Sequence, residues 1–141
     1  MSVATALVAE DEPLLRERLV ALLASLWPEL RVVAQARNGR EAVELFDQAL
    51  PDVAFLDVHM PGLNGIEVAR CIGGRAELVF VTAFDKYAVE AFRHGAVDYL
   101  LKPVEAQRLA ETVQRLRARL AAPARTPPPG WDATLERMAA Q

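Results

Sequence analysis

The sequence predicts an α/β protein with an open, doubly wound parallel sheet built from five βα units, (βα)5. Short apolar segments of strand length alternate five times along the chain with segments whose apolar residues recur at helical spacing. Several strand segments are continuous apolar runs, which is typical of parallel strands covered by helices on both faces. Five such units with short right-handed crossovers fit an open sheet rather than an eightfold barrel.

Each predicted strand is followed by a predicted helix. The predicted strands are residues 5–9, 31–36, 52–57, 77–82 and 96–101. The first predicted helix begins at Pro13 and ends before Pro28, and the second covers residues 40–50. The third runs from Asn64-Gly65 to Gly73-Gly74, the fourth covers residues 85–94, and the fifth follows the apolar residues from Leu109 to Leu120. Proline and glycine therefore mark most of the predicted helix ends.

The composition changes after the last predicted helix. Residues 1–121 are expected to form the α/β domain, and residues 122–141 a proline-rich linker with a short helical stub. Three successive prolines favour an extended linker. Because the stub from Trp131 onward is too short to be stable alone, we expect it to lead to an effector domain that this chain lacks. A stand-alone domain without such an output is the alternative.

Composition and charge narrow the class of protein. The 141 residues carry a formal net charge of −3, and 52% are hydrophobic. A folded domain without general attraction for nucleic acid or anionic membrane is therefore expected. The sequence shows no signal peptide and no apolar run of the roughly 20 residues that a membrane helix needs. The single cysteine, Cys71, is expected in the core, and a reducing cytoplasm is predicted as the location.

Polar side chains stand at the carboxyl ends of four predicted strands, where open α/β sheets bind their ligands. They are Glu10 and Asp11 after the first strand, Asp57 at the end of the third, Thr82 at the end of the fourth and Lys102 after the fifth. With the strand order 2-1-3-4-5, the first and third strands are neighbours, so three carboxylates crowd together and repel one another. A Mg2+ ion, which prefers oxygen ligands, would relieve this repulsion.

Such a pocket is suited to phosphoryl transfer. Asp57 would act as the nucleophile and form an aspartyl phosphate. Mg2+ would neutralise charge on the phosphoryl oxygens, while Thr82 and Lys102 would each contact one of them. The strand would hold Asp57 rigidly, and the loop HMPGLNG after it would leave the carboxylate open to a donor.

Each of these residues also has a purely structural interpretation. Asp57 could solvate a strand end, and the acids at residues 10–12 could form an exposed turn before a helix. Thr82 could cap the next helix, Lys102 could be a surface lysine, and Tyr99 could be a half-buried core aromatic. The combination of these residue types at adjacent strand ends favours the functional interpretation.

The same residues resemble the receiver domain of bacterial two-component response regulators. The resemblance is carried by Glu10-Asp11, Asp57, Thr82-Ala83 and Lys102-Pro103 on five βα units, together with MPGLNG and VDYLLKP. It covers about residues 3–121 and implies the flavodoxin-like form of the doubly wound sheet. The run VFVTAFDKYAVEAFRHGAVDYLLKP resembles more particularly the receivers of regulators with a LytTR-type DNA-binding domain.

The resemblance implies that a sensor histidine kinase phosphorylates Asp57 in the presence of Mg2+. It implies that Glu10, Asp11 and Asp57 hold the metal, Asp11 directly and Glu10 often through water, with the backbone carbonyl of His59 as a further ligand. The His59 side chain is expected to be exposed, since one histidine makes no transition-metal site. Many receivers have aspartate where this chain has Glu10, and the extra methylene could change the geometry or affinity of the metal site.

The resemblance further implies a signalling switch rather than an enzyme, with at most self-catalysed phosphorylation and dephosphorylation. Thr82 and Tyr99 would form the switch pair, and Lys102 would contact the phosphoryl group. The output would be a homodimer formed through the face of the fourth helix, fifth strand and fifth helix. DNA would be contacted only by the absent domain, and the arginines of the last helix would be solvated or border the dimer.

Two other classes of protein use similar features. A phosphatase of the haloacid-dehalogenase kind also has a strand-end aspartate and Mg2+, but it requires a second acid two residues later, where this chain has His59. A flavin-binding protein of flavodoxin shape requires a phosphate loop rich in Ser, Thr and Gly after the first strand, where this chain has EDEPLLR. Both are less consistent with the sequence than a receiver.

Overall fold

The computed structural model describes residues 3–83, 93 and 95–122. Within these residues the strands are β1 (Thr5–Ala9), β2 (Arg31–Ala36), β3 (Val53–Asp57), β4 (Glu77–Thr82) and β5 (Asp98–Leu101). The helices are α1 (Pro13–Leu26), α2 (Gly39–Ala49), α3 (Gly65–Ile72) and α4 (Ala106–Ala121). The predicted helix over residues 85–94, apart from Arg93, and the predicted linker and stub after residue 122 lie outside the described residues.

The strands form one five-stranded parallel sheet in the order β2-β1-β3-β4-β5. The predicted fold class and strand order are confirmed. The predicted third and fifth strands began one and two residues early, at 52 and 96, whereas β3 begins at Val53 and β5 at Asp98. Among the described residues, no helix combines the length and apolar character needed to cross a membrane.

The sheet is buried on both faces, as its continuous apolar strands predict. Every residue of β3 and β4 is buried. On one face, side chains such as Phe46 of α2 and Ile72 of α3 pack against the sheet. On the other face, Leu23 of α1 and Leu109 of α4 do so. Alternate strand residues therefore enter different cores, and this holds each strand in a single register.

Asparagine side chains begin the two helices that flank the central strands. Asn38 accepts a hydrogen bond from the backbone N–H of Glu41 at the start of α2. At the start of α3, Asn64 and Glu67 form a reciprocal capping box. These caps set where the loops after β2 and β3 end, and the second of those loops follows Asp57 directly.

One expectation about a single residue was wrong, and the surroundings of several arginines were incompletely predicted. Cys71 is exposed on α3 rather than buried in the core. The buried positions of this helix are occupied by other residues, among them Ala69 and Ile72. The arginines of α4 are not simply solvated. Arg108 and Arg115 both pair with Asp98 at 2.6 Å, and Arg119 pairs with Glu77 at 2.6 Å. These pairs join α4 to the first residues of β5 and β4.

Leu50 supplies a test of backbone strain in this fold. It follows α2 in the left-handed conformation, with φ of 46°, and its side chain is 62% exposed. Leu50→Gly should raise the free energy of unfolding by about 0.5–1 kcal/mol, because a β-carbon is disfavoured in that conformation. Urea denaturation measures the change.

The neighbouring Ala49→Gly variant is the matched control. Ala49 is exposed and is the last residue of α2, so the same new residue should lower the free energy of unfolding there by up to about 1 kcal/mol. Loss of stability in both variants would show that the conformation of Leu50 is not strained.

Candidate functional site

The acids predicted to meet at one edge of the sheet do meet there. β1 and β3 are adjacent, with Ala9 paired to Leu56, so the residues that follow β1 emerge beside Asp57. Carboxylate oxygens of Glu10, Asp11 and Asp57 lie within 4.8 Å of one another. Glu10 and Asp57 are buried, while Asp11 is half-buried.

The main chain of Glu10 is held from two sides. Its N–H donates to the carbonyl oxygen of Ala36 in β2 at 3.0 Å. Its own carbonyl oxygen accepts a hydrogen bond from the guanidinium of Arg16 in α1 at 2.8 Å. The side chain then points inward, where one carboxylate oxygen, Oε2, accepts the N–H of Glu12 at 3.2 Å. Glu12 itself is exposed.

Asp57 ends a buried strand and is almost fully enclosed, with 2% of its surface exposed. Its carboxylate oxygen Oδ1 accepts the backbone N–H of His59 at 3.2 Å. The chain turns back at once, because the N–H of Gly65 donates to the carbonyl oxygen of Val58 at 3.0 Å. The His59 side chain is exposed, as predicted.

Lys102 faces the acids from the end of β5. Its ammonium nitrogen lies 2.7 Å from Oε1 of Glu10 and 3.4 Å from Oδ1 of Asp57. Its backbone N–H donates to the carbonyl oxygen of Thr82 at 2.8 Å, which ties the lysine to the end of β4. The predicted meeting of Lys102 with the acid cluster is therefore present, although its shorter contact is to Glu10.

Crowding changes the acidity of the carboxyl groups. Burial raises the pKa of Asp57 to about 8, and hydrogen bonds to the carboxyl groups of Glu10 and Asp11 act in the same direction. Burial alone would also raise the pKa of Asp11, but hydrogen bonds with Asp57 and Glu10 bring it below its usual value. Without a metal at neutral pH, Asp57 therefore holds a proton and Asp11 is ionised.

The pKa of Lys102 responds in the opposite sense to its surroundings. Burial alone would lower it, but the hydrogen bond to Glu10 and the charges of Asp57 and Glu10 raise it above its ordinary value. Lys102 therefore carries a positive charge in the pocket at neutral pH.

The donor set fits a hard divalent cation. All three acids offer oxygen atoms, which Mg2+ prefers, and no softer ligand lies in this cluster of the described residues. When every group is ionised, three carboxylates and one ammonium leave two net negative charges, which one Mg2+ would neutralise. Asp11, being half-buried, gives the cluster a side open to solvent through which water can complete the coordination.

The predicted switch residues lie on neighbouring strands and on one face of the sheet. Thr82 is fully buried at the end of β4, and Tyr99 is half-buried in β5. Tyr99 pairs in register with Phe80, two residues before Thr82. Because alternate residues of a strand share a face, the two side chains point to the same side, in the direction of the α2 and α3 core.

Three residues that support the site were not singled out from the sequence. Arg16 holds the main chain of Glu10. The only signal of this in the sequence is the position of Arg16 in the first turns of α1. A Cβ atom at Gly65 would clash with the carbonyl group of Asp57, and one at Gly39 would clash with that of Leu63. Both glycines stood out only as residues suited to turns.

With this geometry, the family of the chain can be stated. Residues 6–114 match the family model of the response regulator receiver domain. The match covers well over half of the chain, and the chain belongs to this family. Receiver domains are phosphorylated by sensor kinases, bind Mg2+ through acidic residues and work as signalling switches rather than as classical enzymes.

Individual relatives agree with this assignment. An uncharacterized response regulatory protein of Vibrio cholerae is 50% identical over 119 residues, which cover 82% of this chain and 46% of that protein. The sensory transduction protein LytT of Oceanobacillus iheyensis is 41% identical over 119 residues, covering 81% of this chain and 48% of LytT. The chain thus spans about half the length of these curated relatives.

Solved structures show the same fold. The receiver domain of AraT, a response regulator from Geobacillus stearothermophilus, has a TM-score of 0.78 and 34% identity, covering 84% of this chain and 96% of that one. The predicted membership of the receiver family is therefore confirmed. The LytT relative agrees with the predicted resemblance to receivers of the LytTR type.

The raised pKa of Asp57 predicts an unusual dependence of stability on pH in metal-free protein. Between the ordinary value of 3.8 and about 8, the folded state binds more protons than the unfolded state. Stability due to this group is therefore lost as pH rises through that window. Asp57→Asn, which cannot ionise, should gain on the wild type by on the order of 1 kcal/mol for each pH unit.

Urea denaturation in EDTA at pH 5, 6.5 and 8 measures this difference. Asp47→Asn is the control, because it makes the same chemical change at an exposed aspartate, whose contact with Arg75 is 3.4 Å long. The gain of Asp57→Asn is compared with this variant at each pH. An Asp57→Asn difference that stays constant or shrinks with rising pH would contradict the proton on Asp57.

Proposed function

We propose that this chain is the phospho-accepting part of a response regulator and that Asp57 takes the phosphoryl group from a phosphohistidine of a sensor histidine kinase. The observation that carries the proposal is the position of Asp57. It is an enclosed carboxylate at the end of the central strand, where it lies close to the acids Glu10 and Asp11 and to the ammonium group of Lys102.

The transfer is a displacement at phosphorus. A carboxylate oxygen of Asp57, once deprotonated, attacks the phosphorus atom and forms a P–O bond while the P–N bond of the phosphohistidine breaks. The electron pair of that bond stays with the imidazole nitrogen. Lys102 donates to one of the phosphoryl oxygens, and the hydroxyl of Thr82 donates to another as it turns toward the new group.

The acids of the cluster have a separate part in this proposal. Asp11 and Asp57 would hold Mg2+, with the backbone carbonyl of His59 as a further ligand and Glu10 near the metal through water. Bound Mg2+ supplies positive charge that offsets the charge of the phosphoryl oxygens. The proton on Asp57 must leave before the carboxylate can attack, and cation binding at the cluster favours its loss.

Phosphorylation would then shift the conformational equilibrium of the output face. The turn of Thr82 toward the phosphoryl group leaves space on the side of the sheet where Tyr99 also lies, and Tyr99 moves into it. A change of this kind is worth about 1–3 kcal/mol in binding free energy. We propose homodimerisation as the result, through the face that includes β5, α4 and the residues between β4 and β5.

The wider setting of the domain follows from the same proposal. Residues 1–121 are the receiver and residues 122–141 the connection to an effector, for which a LytTR-type DNA-binding domain is the leading candidate. The protein would act in the cytoplasm, where the kinase domain and DNA are found, and DNA would be contacted by the effector and not by the receiver.

Acetyl phosphate with Mg2+ tests the phospho-acceptor. Intact-mass spectrometry should show the addition of one phosphoryl group to the wild type and none to Asp57→Ala, because Asp57 is the proposed nucleophile. Omission of Mg2+ should slow the reaction by at least about tenfold.

Asp47→Asn, an exposed change elsewhere on the domain, is the control and should be phosphorylated like the wild type. Equal phosphorylation of the wild type and Asp57→Ala would refute the role of Asp57. Sustained hydrolysis of a generic phosphomonoester would instead indicate a phosphatase.

The proposed output is tested by sedimentation with and without beryllium fluoride, which mimics the phosphoryl group. Leu101 lies in the edge strand β5 with 48% of its surface exposed, so Leu101→Gln should weaken the mimic-induced dimer by about 1–2 kcal/mol through lost apolar burial. Leu14→Gln is the control, since Leu14 is 80% exposed on α1. A monomer under all conditions, or equal loss in both variants, would contradict dimerisation through β5.

A further inference from the structure

The two oxygens of the Glu10 carboxylate are both engaged by protein groups. Oε1 forms an ion pair with the ammonium of Lys102 at 2.7 Å. Oε2 accepts the backbone N–H of Glu12 at 3.2 Å. The carboxylate is aimed at Lys102 by a main chain that is itself fixed, since its N–H and C=O bind Ala36 and Arg16. Both the main chain and the side-chain carboxylate of Glu10 are thus held in place.

Lys102 is closer to Glu10 than to the phospho-acceptor. Its ammonium lies 2.7 Å from Glu10 but 3.4 Å from Oδ1 of Asp57, and that same Oδ1 also accepts the N–H of His59. The shorter separation is that of a charge-assisted hydrogen bond, while the longer one is a looser electrostatic contact. Glu10 is therefore the main partner of the lysine in the resting site.

The position of the lysine separates the three acids into two groups. A divalent cation and an ammonium repel each other, so a metal in this cluster lies away from the ammonium. Glu10 faces Lys102, whereas Asp11 is half-buried and open to solvent. Asp11 and Asp57 are the pair left to bind the cation, and the third acid is occupied by the lysine.

We propose that Glu10 is a positioning residue for Lys102: it holds the ammonium beside Asp57 without letting it close onto the carboxylate that must attack phosphorus. This inference rests on the proposed function and departs from it at one point, because the main role of Glu10 is to bind Lys102 and its role as a metal ligand is secondary. The length of the glutamate side chain, one methylene more than aspartate, is what brings its carboxylate to the ammonium from the end of β1.

In the resting site, Lys102 therefore lies beside Asp57 but forms its closer ion pair with Glu10. Without Glu10, the ammonium would lose its partner at 2.7 Å and with it its fixed place beside Asp57. The lysine would then have to be ordered again before it could contact a phosphoryl oxygen. Loss of Glu10 should therefore slow phosphorylation while leaving the metal pair of Asp11 and Asp57 in place.

The partner of Lys102 can be read directly from its ammonium protons. The sequence has only two lysines, Lys86 and Lys102, so 15N-lysine labelling gives two side-chain signals, one of which is an internal reference. In metal-free protein, Glu10→Gln should speed hydrogen exchange at the Lys102 ammonium several-fold more than Asp57→Asn does. Glu12→Gln, the same chemical change at an exposed neighbour, should leave the exchange unchanged.

Binding and rate together separate positioning from metal ligation. Calorimetry should find the Kd for Mg2+ changed by less than about threefold in Glu10→Gln but raised by about tenfold or more in Asp11→Asn. The rate of phosphorylation by acetyl phosphate at saturating Mg2+ should fall about tenfold or more in Glu10→Gln, and Glu10→Asp should not restore it.

The proposal is wrong if Asp57→Asn speeds the exchange of the Lys102 ammonium as much as Glu10→Gln does. It is equally wrong if Glu10→Gln weakens Mg2+ binding as much as Asp11→Asn, since Glu10 would then serve the metal. A wild type that accepts no phosphoryl group would refute the proposed function instead, and the exchange measurement on unphosphorylated protein would still identify the partner of the lysine.

Discussion

Three carboxyl groups meet where β1 and β3 end, and the electrostatic repulsion between them is the constraint on which the site depends. The fold keeps the groups together because parallel strands bring their carboxyl ends to one edge of the sheet. Burial raises the pKa of Asp57 to about 8, with hydrogen bonds to the neighbouring acids and the charge of Glu10 acting in the same direction, and Lys102 relieves only part of the charge. The oxygen ligands of this cluster suit a divalent cation, and without a cation the central carboxyl group holds a proton.

The surrounding structure is arranged to hold that cluster rigid. β3 is buried along its whole length, so Asp57 cannot move without disturbing both cores. Gly65 lies against the main chain of Asp57 with no room for a side chain, and Arg16 holds the carbonyl of Glu10. Rigid placement has an energetic cost in repulsion, but under the proposed function it would orient Asp57 for a phosphoryl donor before the donor binds.

Much of this was predictable because the relevant signals are local in sequence. An apolar run that stops at Asp57, and turn residues directly after it, predict a strand-end acid, and the order of the strands then predicts its neighbours. The contacts that were not predicted join residues that are remote from each other in the sequence. The partners of Arg108, Arg115 and Arg119 in α4 lie 10 to 42 residues away along the chain. They are Asp98 and Glu77. The preference of Lys102 for Glu10 over Asp57 depends on less than an ångström.

The central claim, that a cation and a proton compete for the acid cluster, is tested by counting protons released as Mg2+ binds. Calorimetric titrations at pH 7 in buffers of different ionisation enthalpy give this number. The account predicts release of close to one proton per Mg2+ by the wild type, since the pKa of Asp57 is about 8 without metal, and almost none by Asp57→Asn. Mg2+ binding with no proton release by the wild type would contradict it.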